Sequence, residues 1–297
     1  VKAKTMSDPI TSHEKLSAEE LEKQYNLRAG RPDYDVTVIP DWTVRSEQAR
    51  EKLSGRLDIR YGDGEKQKLD LFSSGDPKAP LLVYLHGGYW QRGDKSIYSF
   101  LAVPFTGRGA NVAVVGYDLC PAVTITRIAE EAREALAYLW RHADDLGLNR
   151  ERITVMGHSA GGHITEMMMG TNWPAYGADL PKTLIRSGIP VSPLSLLEPV
   201  RLTSLNDNVR MDAEEAAAES PMLNHPPLTD APQLLVVGGK ETTEFHRQAR
   251  MYQSAFAAAE RKIDFYIVPD VDHFDELNVL ADPKSDFFKK TMAMLDA

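Results

Sequence analysis

The sequence predicts a doubly wound α/β domain, in which a mostly parallel central sheet carries helices on both faces. Two observations support this prediction. Short, continuous apolar runs recur along the chain, and such runs suit strands that are buried on both faces, as in a parallel sheet. Amphipathic stretches of helical length lie between the runs, and this alternation of strand and helix is typical of the architecture. At 297 residues the chain is long for one domain, but a single large α/β sheet often organises such a length.

The first predicted elements are polar helices. Ser17 lies three residues before Glu20, which fits a capping box at the start of a helix that continues to Tyr25. A second helix is predicted over residues 46–53. This leader contains too few apolar residues for a core of its own, so it is expected to pack on the main domain.

The strands and helices of the main domain follow in order. Two segments with period-two alternation, residues 57–61 and 68–72, predict half-exposed, partly antiparallel strands. Continuous apolar runs predict five buried strands, at residues 81–85, 112–115, 153–156, 234–237 and 265–268. Helices are predicted at residues 125–142, 163–170, 244–259 and 285–295. In such a sheet, the chemistry is expected at the carboxyl ends of the strands.

The domain organisation has two irregular parts. Residues 1–54 are predicted to form a helical extension, and residues 55–297 a single domain. Residues 1–5 precede a start-like Met6 and are expected to be foreign to the natural chain. A proline-rich insertion at about residues 188–232, with a short helix at 212–219, is either a cap over a site or a solvated excursion. Its place at the carboxyl edge of the sheet favours the cap.

The composition excludes several classes of function. Lys and Arg number 34 against 43 Asp and Glu, which gives a net charge of −9 and leaves no basic surface for nucleic acid. Cys120 is the single cysteine, so an intrachain disulfide and a multi-cysteine metal centre are excluded. There is no run of about 18 apolar residues and no signal-peptide pattern. We therefore expect a cytoplasmic protein that has no membrane or nucleic-acid partner.

A nucleophile elbow is predicted at Gly157-His158-Ser159-Ala160-Gly161. This G-x-S-x-G pattern follows a predicted strand and precedes a predicted helix, which is the context that the motif requires. The turn forces the serine into a strained backbone conformation, so small residues are needed two positions to either side. The alternative is a small-residue turn that only packs the helix on the strand. The context favours Ser159 as the nucleophile.

An oxyanion hole is predicted in the loop His86-Gly87-Gly88-Tyr89-Trp90, directly after the strand at residues 81–85. Two glycines allow successive N–H groups to converge on the oxygen of a tetrahedral intermediate. The expected donors are Gly88, Tyr89 and Ala160, with Gly87 as a further candidate. Tyr89 and Trp90 are also predicted to bind substrate, and core packing is the alternative for both. His86 is expected to be structural.

A serine hydroxyl needs a neutral imidazole to take its proton, and His273 is the predicted base. It lies in the loop after the last strand, where hydrolases of this architecture place this histidine. The acid is expected after the preceding strand, where Glu241 and Glu244 compete. Glu241 is favoured because it lies three residues past the strand, whereas Glu244 is expected to start the next helix. Asp270 and Asp272 are near neighbours of His273 in the sequence and are expected to bond within their loop.

These residues resemble the kynurenine formamidases, or arylformamidases, of the α/β-hydrolase superfamily. The resemblance covers the chain from about residue 55 to its end, and the leader is similar to that of bacterial members. It rests on five segments: His86-Gly87-Gly88-Tyr89-Trp90-Gln91, Tyr117-Asp118 with Pro121, Gly157-His158-Ser159-Ala160-Gly161, Glu244-Phe245-His246-Arg247-Gln248 and Val271-Asp272-His273-Phe274. The resemblance implies an α/β-hydrolase fold.

The resemblance also implies a triad of Ser159, an acid and His273 that cleaves N-formylkynurenine to kynurenine and formate without a metal or another cofactor. The resemblance implies an Asp in the animal members at the position where this chain has Glu241. Two alternatives remain: a carboxylesterase or amidase for other small aryl or short-chain substrates, and a catalytically silent binding protein on a hydrolase scaffold. The expected partner is a small-molecule substrate, and a homodimer is one candidate assembly.

Overall fold

The computed structural model describes residues 12–258 and 260–296, so the expectation about residues 1–5 lies outside the described part. One sheet of eight strands organises the chain. Its spatial order is β1-β2-β4-β3-β5-β6-β7-β8. The strands are β1 (Gly55–Arg60), β2 (Lys68–Phe72), β3 (Leu81–Leu85), β4 (Asn111–Val115), β5 (Ile153–His158), β6 (Ser187–Val191), β7 (Gln233–Gly238) and β8 (Ile263–Val268).

The sheet is parallel except at its first edge. β1 pairs antiparallel with β2, and β2 pairs antiparallel with β4. From β4 to β8 every neighbouring pair is parallel, so the carboxyl ends of these strands lie along one edge. This sheet, with helices around it, confirms the predicted α/β-hydrolase fold.

Helices cover both faces of the sheet. Alternate residues of β3 illustrate the two layers: Leu81, Val83 and Leu85 belong to one hydrophobic cluster, and Leu82 and Tyr84 belong to the other. The helices are α1 (Ala18–Tyr25), α2 (Ile39–Lys52), α3 (Ala102–Thr106), α4 (Ile125–Arg141), α5 (Ala143–Leu146), α6 (Ala160–Met169), α7 (Trp173–Tyr176), α8 (Glu198–Arg201), α9 (Asn206–Val209), α10 (Ala213–Ala218), α11 (Pro221–Asn224), α12 (Thr243–Phe256), α13 (Glu276–Leu280) and α14 (Asp286–Leu295). Within the described ranges, no helix has the length and apolar character needed to cross a bilayer.

The leader packs on the sheet domain through helices α1 and α2. The predicted capping box is present at the start of α1: the Ser17 N–H donates to Glu20 Oε2 (2.7 Å), and the Glu20 N–H donates to Ser17 Oγ (3.2 Å). Helix α2 begins at Ile39, seven residues earlier than predicted. Its first turn contains Pro40, whose missing N–H costs nothing there because that group would have no partner inside the helix.

Two long-range contacts show how firmly the leader is held. The buried Tyr25 hydroxyl donates to Glu244 Oε2 on α12 (2.7 Å). Trp42 on α2 is almost fully buried, and its Nε1–H donates to Asn278 Oδ1 on α13 (3.1 Å). The leader therefore contacts the helices that follow β7 and β8.

The sequence missed strand β6. Residues 187–191 pair in parallel with β5, with Gly157 opposite Pro190, so the proline-rich insertion does not begin at residue 188 as predicted. It begins after Val191 and continues to residue 232. The strand was not predicted because Gly188 weakens the strand pattern and Pro190 lacks the N–H that would bond to a neighbouring strand. The ladder between β6 and β7 is correspondingly sparse.

Candidate active site

Ser159 lies at the sharp turn between β5 and α6, as the elbow motif predicts. Its backbone has φ 59° and ψ −119°, a conformation that an L-residue adopts at a cost. The Ser159 N–H donates to the carbonyl of Val191 at the end of β6 (2.8 Å), which ties the turn to the next strand. The serine thus stands at the carboxyl edge of the sheet, next to the start of a helix.

The glycines around Ser159 are required by close backbone contacts. A Cβ on Gly157 would lie 2.1 Å from the Gly161 carbonyl oxygen, and a Cβ on Gly161 would lie 2.0 Å from the Leu85 carbonyl oxygen. Both distances are far inside van der Waals contact. The steric reason inferred for the motif is therefore present in the structure, and the second contact brings the elbow against the end of β3.

His273 and Glu241 contact each other at the same edge. His273 follows β8 and Glu241 follows β7, and the distance from His273 Nδ1 to Glu241 Oε2 is 2.7 Å. Both side chains are almost completely buried. The Gly238 N–H also donates to Glu241 Oε1 (3.0 Å), so the carboxylate is held from its own loop as well.

The Glu241 carboxyl is held in its ionised form. Burial alone would raise its pKa. The adjacent His273 ring and the hydrogen bonds from His273, Ser192 and the Gly238 amide outweigh burial, and the pKa of Glu241 lies below its ordinary value. An ionised Glu241 requires a hydrogen on His273 Nδ1, and the other ring nitrogen, Nε2, is then the one that can accept a proton.

The carboxylates of Glu244 and Asp272 bond to groups other than the His273 ring. Glu244 pairs with Arg247 (2.7 Å) and accepts the hydrogen bond from Tyr25, so it anchors the leader. Asp272 accepts the N–H groups of Phe274 (3.0 Å) and Asp275 (3.1 Å) in its own loop. Of the two candidate glutamates, only Glu241 contacts His273 in the described structure.

The glycine-rich loop after β3 is a tight turn. Gly88, Tyr89 and Trp90 have positive φ values of 118°, 50° and 57°. The Gly88 carbonyl accepts the N–H groups of Gln91 (3.2 Å) and Arg92 (3.1 Å). Three consecutive left-handed residues fold the loop back on itself, an arrangement that two glycines alone did not reveal.

The loop also approaches the elbow closely. A Cβ on Gly87 would lie 2.8 Å from the His158 carbonyl oxygen and 3.1 Å from Ser159 Cβ. Since no side chain fits between the two segments, the backbone of Gly87 lies directly beside Ser159. The structure therefore brings the predicted donor loop and the predicted nucleophile together.

The two aromatic residues of the loop have different positions. Tyr89 lines the cavity above Ser159, and its hydroxyl donates to the Tyr25 carbonyl in the leader. Trp90 is fully buried, and its Nε1–H donates to His163 Nδ1 (3.2 Å). The prediction that Trp90 binds substrate is therefore wrong, because its indole packs in the interior and bonds to His163. Core packing, the alternative given for Trp90, is correct.

Three further histidines near the site are buried and neutral. Burial lowers the pKa of His86 and of His163 to about 4. Burial, with the neighbouring His273, lowers the pKa of His158 to about 3. His86 stacks on Tyr117 with ring centroids 4.2 Å apart, in agreement with the structural role expected for it.

Two buried residues near the Glu241 carboxylate, Ser192 and Glu276, were not predicted from the sequence. The Ser192 hydroxyl donates to Glu241 Oε1, and it lies 2.9 Å from Glu276 Oε2. Glu276 is fully buried at the start of α13. Ser192 follows the strand that the sequence did not reveal, and Glu276 lies only three residues after His273, where it had no distinguishing pattern.

A cavity of about 590 Å³ opens over Ser159 and His273. The leader supplies one wall, the glycine-rich loop supplies another, and the insertion contributes residues 204, 205, 207 and 208. Aromatic side chains are prominent in the lining: Tyr34, Trp42, Tyr89, Tyr98 and Phe274. Concave, largely apolar sites of this size are typical of small-molecule binding.

One group of side chains has the composition of a metal site. Donor atoms of His158, His273 and Glu276 lie within 4.8 Å of one another. Two of the ring nitrogens are already engaged, because His158 Nε2 donates to the His273 carbonyl (2.8 Å) and His273 Nδ1 bonds to Glu241. We interpret the group as part of a hydrogen-bond network and assign no metal to it.

Comparisons with known proteins agree with this geometry. A family model described as BD-FAE matches residues 69–178, which include the glycine-rich loop and the elbow. The kynurenine formamidase of Danio rerio is 31% identical over 90% of this chain and 92% of its own length. The kynurenine formamidase of Salmo salar is 29% identical over 90% of this chain and 92% of its own.

A solved structure is similar over the same extent. The crystal structure of a candidate thioesterase from Silicibacter sp. tm1040 is 35% identical and superposes with a TM-score of 0.75, covering 88% of this chain and 94% of that one. The protein described here is therefore a hydrolase of the α/β-hydrolase type. Because it is 31% identical to the Danio rerio protein over nearly the full length of both chains, the chain belongs to the kynurenine formamidase family.

Proposed function

We propose that the protein is a serine hydrolase that cleaves an aryl formamide, such as N-formylkynurenine, through an acyl-enzyme on Ser159. The observation that carries this proposal is the meeting of three parts at one sheet edge: the strained Ser159, the contact between His273 and Glu241, and the glycine-rich loop. The full-length similarity to proteins named kynurenine formamidase supports the choice of substrate.

In the first half of the reaction, Ser159 Oγ attacks the formyl carbonyl carbon while His273 Nε2 accepts the hydroxyl proton. Glu241 keeps the other nitrogen of the ring protonated and stabilises the positive charge that develops on it. The same proton then passes from His273 to the aryl nitrogen as the C–N bond breaks. This step releases the amine and leaves a formyl ester on Ser159.

We assign backbone N–H groups as the hydrogen-bond donors to the oxyanion. The Gly87 carbonyl bonds to His86 Nδ1 (2.8 Å), and the Gly88 carbonyl bonds to amides later in the loop. In a trans peptide the following N–H points the opposite way, so the N–H groups of Gly88 and Tyr89 are turned away from these partners. The Ala160 N–H lies in the first turn of α6 and has no acceptor within the helix. This supports Gly88, Tyr89 and Ala160 as donors, beside Gly87.

In the second half, a water molecule attacks the formyl ester. His273 takes a proton from the water and returns it to Ser159 Oγ as the ester bond breaks, and formate leaves. The dipole of α6, whose N-terminus starts next to Ser159, favours the negative charge in both tetrahedral intermediates.

The cavity lining supports an aromatic leaving group. Tyr34 and Phe274 contact each other with ring centroids 4.3 Å apart, and both line the cavity together with Tyr89. Flat apolar walls of this kind favour an aryl ring.

A second function has support from one observation. The candidate thioesterase is 35% identical, slightly more than the formamidases, and its name points to an ester-type substrate. Because an ester and an amide pass through similar tetrahedral intermediates, the same residues would hydrolyse aryl or short-chain esters. Parallel measurement of kcat/KM on N-formylkynurenine and on p-nitrophenyl esters separates the two; a clear preference for the esters contradicts the formamidase proposal.

The variant Ser159→Ala tests the mechanism itself. We expect kcat to fall by roughly a million-fold, as for removal of the nucleophile in other triads, while the circular dichroism spectrum stays that of the wild type. A fluorophosphonate should label the wild type and not the variant. Substantial turnover by the variant would overturn the acyl-enzyme mechanism, and failure of the wild type to label would favour a binding protein instead.

A further inference from the structure

Behind Glu241 lies a second buried carboxyl group that the proposed mechanism does not use. Glu276 has no exposed surface, and its two oxygens lie 3.1 and 2.9 Å from Ser192 Oγ. The same hydroxyl donates to Glu241 Oε1. One serine oxygen therefore joins the carboxyl that touches His273 to a carboxyl further inside the protein.

Counting hydrogens shows what this arrangement requires. Ser192 has one hydroxyl hydrogen, and the ionised Glu241, which is acceptor-only, receives it. An ionised Glu276 would then face the lone pairs of Ser192 Oγ with no hydrogen between the two oxygens. A protonated Glu276 has an O–H of its own, which it can donate to Ser192 Oγ. Only this second state satisfies all three groups.

The surroundings of Glu276 favour the same state. The titratable groups that face it are Glu241, Asp272, Tyr84, His158 and His273. His158 Nε2 is 3.4 Å away, but it donates to the His273 carbonyl and is neutral. Burial, and next the negative charge of Glu241, hold the pKa of Glu276 well above its ordinary value.

We propose that Glu276 is a positioning residue that keeps a proton and, through Ser192, holds the Glu241 carboxylate against His273. The chain of donors runs from the Glu276 O–H to Ser192 Oγ, from the Ser192 O–H to Glu241, and from His273 Nδ1–H to Glu241. The inference rests on the proposed function, since it assigns Glu276 to the support of that reaction. Each donor polarises the next, so loss of the first proton loosens the orientation of the whole chain.

A pH dependence follows from this arrangement. At alkaline pH, ionisation of Glu276 places two carboxylates around one hydroxyl hydrogen, and Ser192 is then shared between them. Glu241 loses a defined position, and kcat should fall while KM stays nearly constant. Glutamine has an N–H₂ group that can donate to Ser192 but cannot ionise, so Glu276→Gln should lose this alkaline decrease.

The test compares three variants with the wild type in pH profiles of kcat on N-formylkynurenine or, if that is not hydrolysed, on a p-nitrophenyl ester. Glu276→Gln should keep kcat at pH 7 within about tenfold and lose the alkaline limb. Glu276→Leu, which cannot donate, should lower kcat about 10- to 100-fold at every pH, the size of loss found when the hydrogen-bond partner of a metal ligand is removed. The matched control is Glu166→Gln: Glu166 is equally buried and bonds to Ser195 Oγ (3.0 Å), away from His273, so its profile should match the wild type.

Infrared spectroscopy reads the proton without using activity. The wild type at pH 7 should show the C=O stretch of protonated carboxyl groups, and Glu276→Gln should remove one component of it. Glu166→Gln should remove a different component. If Glu276→Gln does not fold, Ser192→Ala takes its place: it should lower kcat as Glu276→Leu does while the Glu276 carboxyl band persists.

Three results would overturn the inference: a Glu276→Gln variant that keeps the wild-type alkaline limb, one that is as impaired as Glu276→Leu, or a difference spectrum with no protonated carboxyl assigned to Glu276. Failure of the proposed function is recognised separately. In that case Ser159→Ala remains active, whereas the infrared spectra still report whether Glu276 carries its proton.

Discussion

The Glu241 carboxylate is held by groups from three different segments of the chain. His273 and the Gly238 amide contribute bonds of 2.7 and 3.0 Å, and Ser192 contributes a third from beyond β6. The three partners come from the carboxyl ends of β6 and β7 and from the loop after β8, so separate strands hold the carboxylate. The Glu241 loop turns back toward β7, because the Glu241 N–H donates to the Gly238 carbonyl (3.1 Å).

At this scale we predict the effect of Glu241→Gln. The amide cannot stabilise a charged imidazole and would favour the wrong tautomer of His273, so kcat at pH 7 should fall roughly 10³- to 10⁴-fold. The control Glu244→Gln removes the other candidate acid, which pairs with Arg247, and should retain kcat within about tenfold. Steady-state kinetics measure both. If the loss is larger for Glu244→Gln, the assignment of the acid is wrong.

At the scale of elements, the junction of β5 and α6 packs closely against the neighbouring strands. The helix begins directly after Ser159, and Gly161 in its first turn touches the end of β3. Gly162 is similarly close to β6, because a Cβ there would lie 2.7 Å from the Val191 carbonyl oxygen. Sheet and helix therefore meet without side chains between them, and this contact fixes the height of the serine above the sheet.

The variant Gly161→Ala tests this close packing. An added Cβ 2.0 Å from the Leu85 carbonyl oxygen must push the helix away from β3, which should lower the free energy of unfolding by about 3 kcal/mol or more. The control Gly30→Ala adds a methyl group where no atom lies within 4 Å and should change stability by less than about 1 kcal/mol. Urea denaturation measures both, and equal effects would contradict the steric explanation of the elbow.

At the scale of the whole molecule, the interior contains titratable groups whose pKa values shift in opposite directions. Burial lowers the pKa values of His86, His158 and His163, so their contribution to stability falls as the pH drops below about 6.5. Burial raises the pKa of Glu166 and of Glu276 well above the ordinary value. The contribution of these two carboxyl groups is present at low pH and is lost as the pH rises toward their raised pKa values.

The variant Glu166→Gln isolates one of these groups. In the wild type, the folded state keeps the Glu166 proton at pH values where the unfolded chain has lost it, so stability falls with rising pH. Glutamine titrates in neither state, and the histidines are common to both proteins. The variant should therefore gain stability relative to the wild type by about 1.4 kcal/mol per pH unit above about pH 5, while folded wild type keeps the proton. Urea unfolding at pH 5, 6 and 7 measures this, and parallel stabilities would contradict it.

Local sterics and periodicity made much of the molecule predictable from sequence. The positions of seven strands, the capping box at Ser17, the elbow at Ser159 and the loop positions of Glu241 and His273 all depend on residues close to one another in the chain. The burial of the strands was predicted less well: residues 68–72, expected to be half-exposed, are mostly buried, and residues 265–268, expected to be buried, are largely half-buried because β8 is an edge strand. Strand β6 was not predictable, because Gly188 and Pro190 carry no strand signal and their pairing with β5 depends on neighbours far away in sequence.

The sequence by itself determined seven of the eight strands of the sheet, the order of the proposed reactive residues along its carboxyl edge and the need for glycine around Ser159. Only the tertiary structure decided that Glu241 rather than Glu244 meets His273, that Trp90 packs inside against His163, and that Glu276 stands behind the pair through Ser192. The physical reason is range: backbone strain and periodicity act within a few residues, whereas burial and hydrogen-bond partners are set by segments that meet only when the chain is folded.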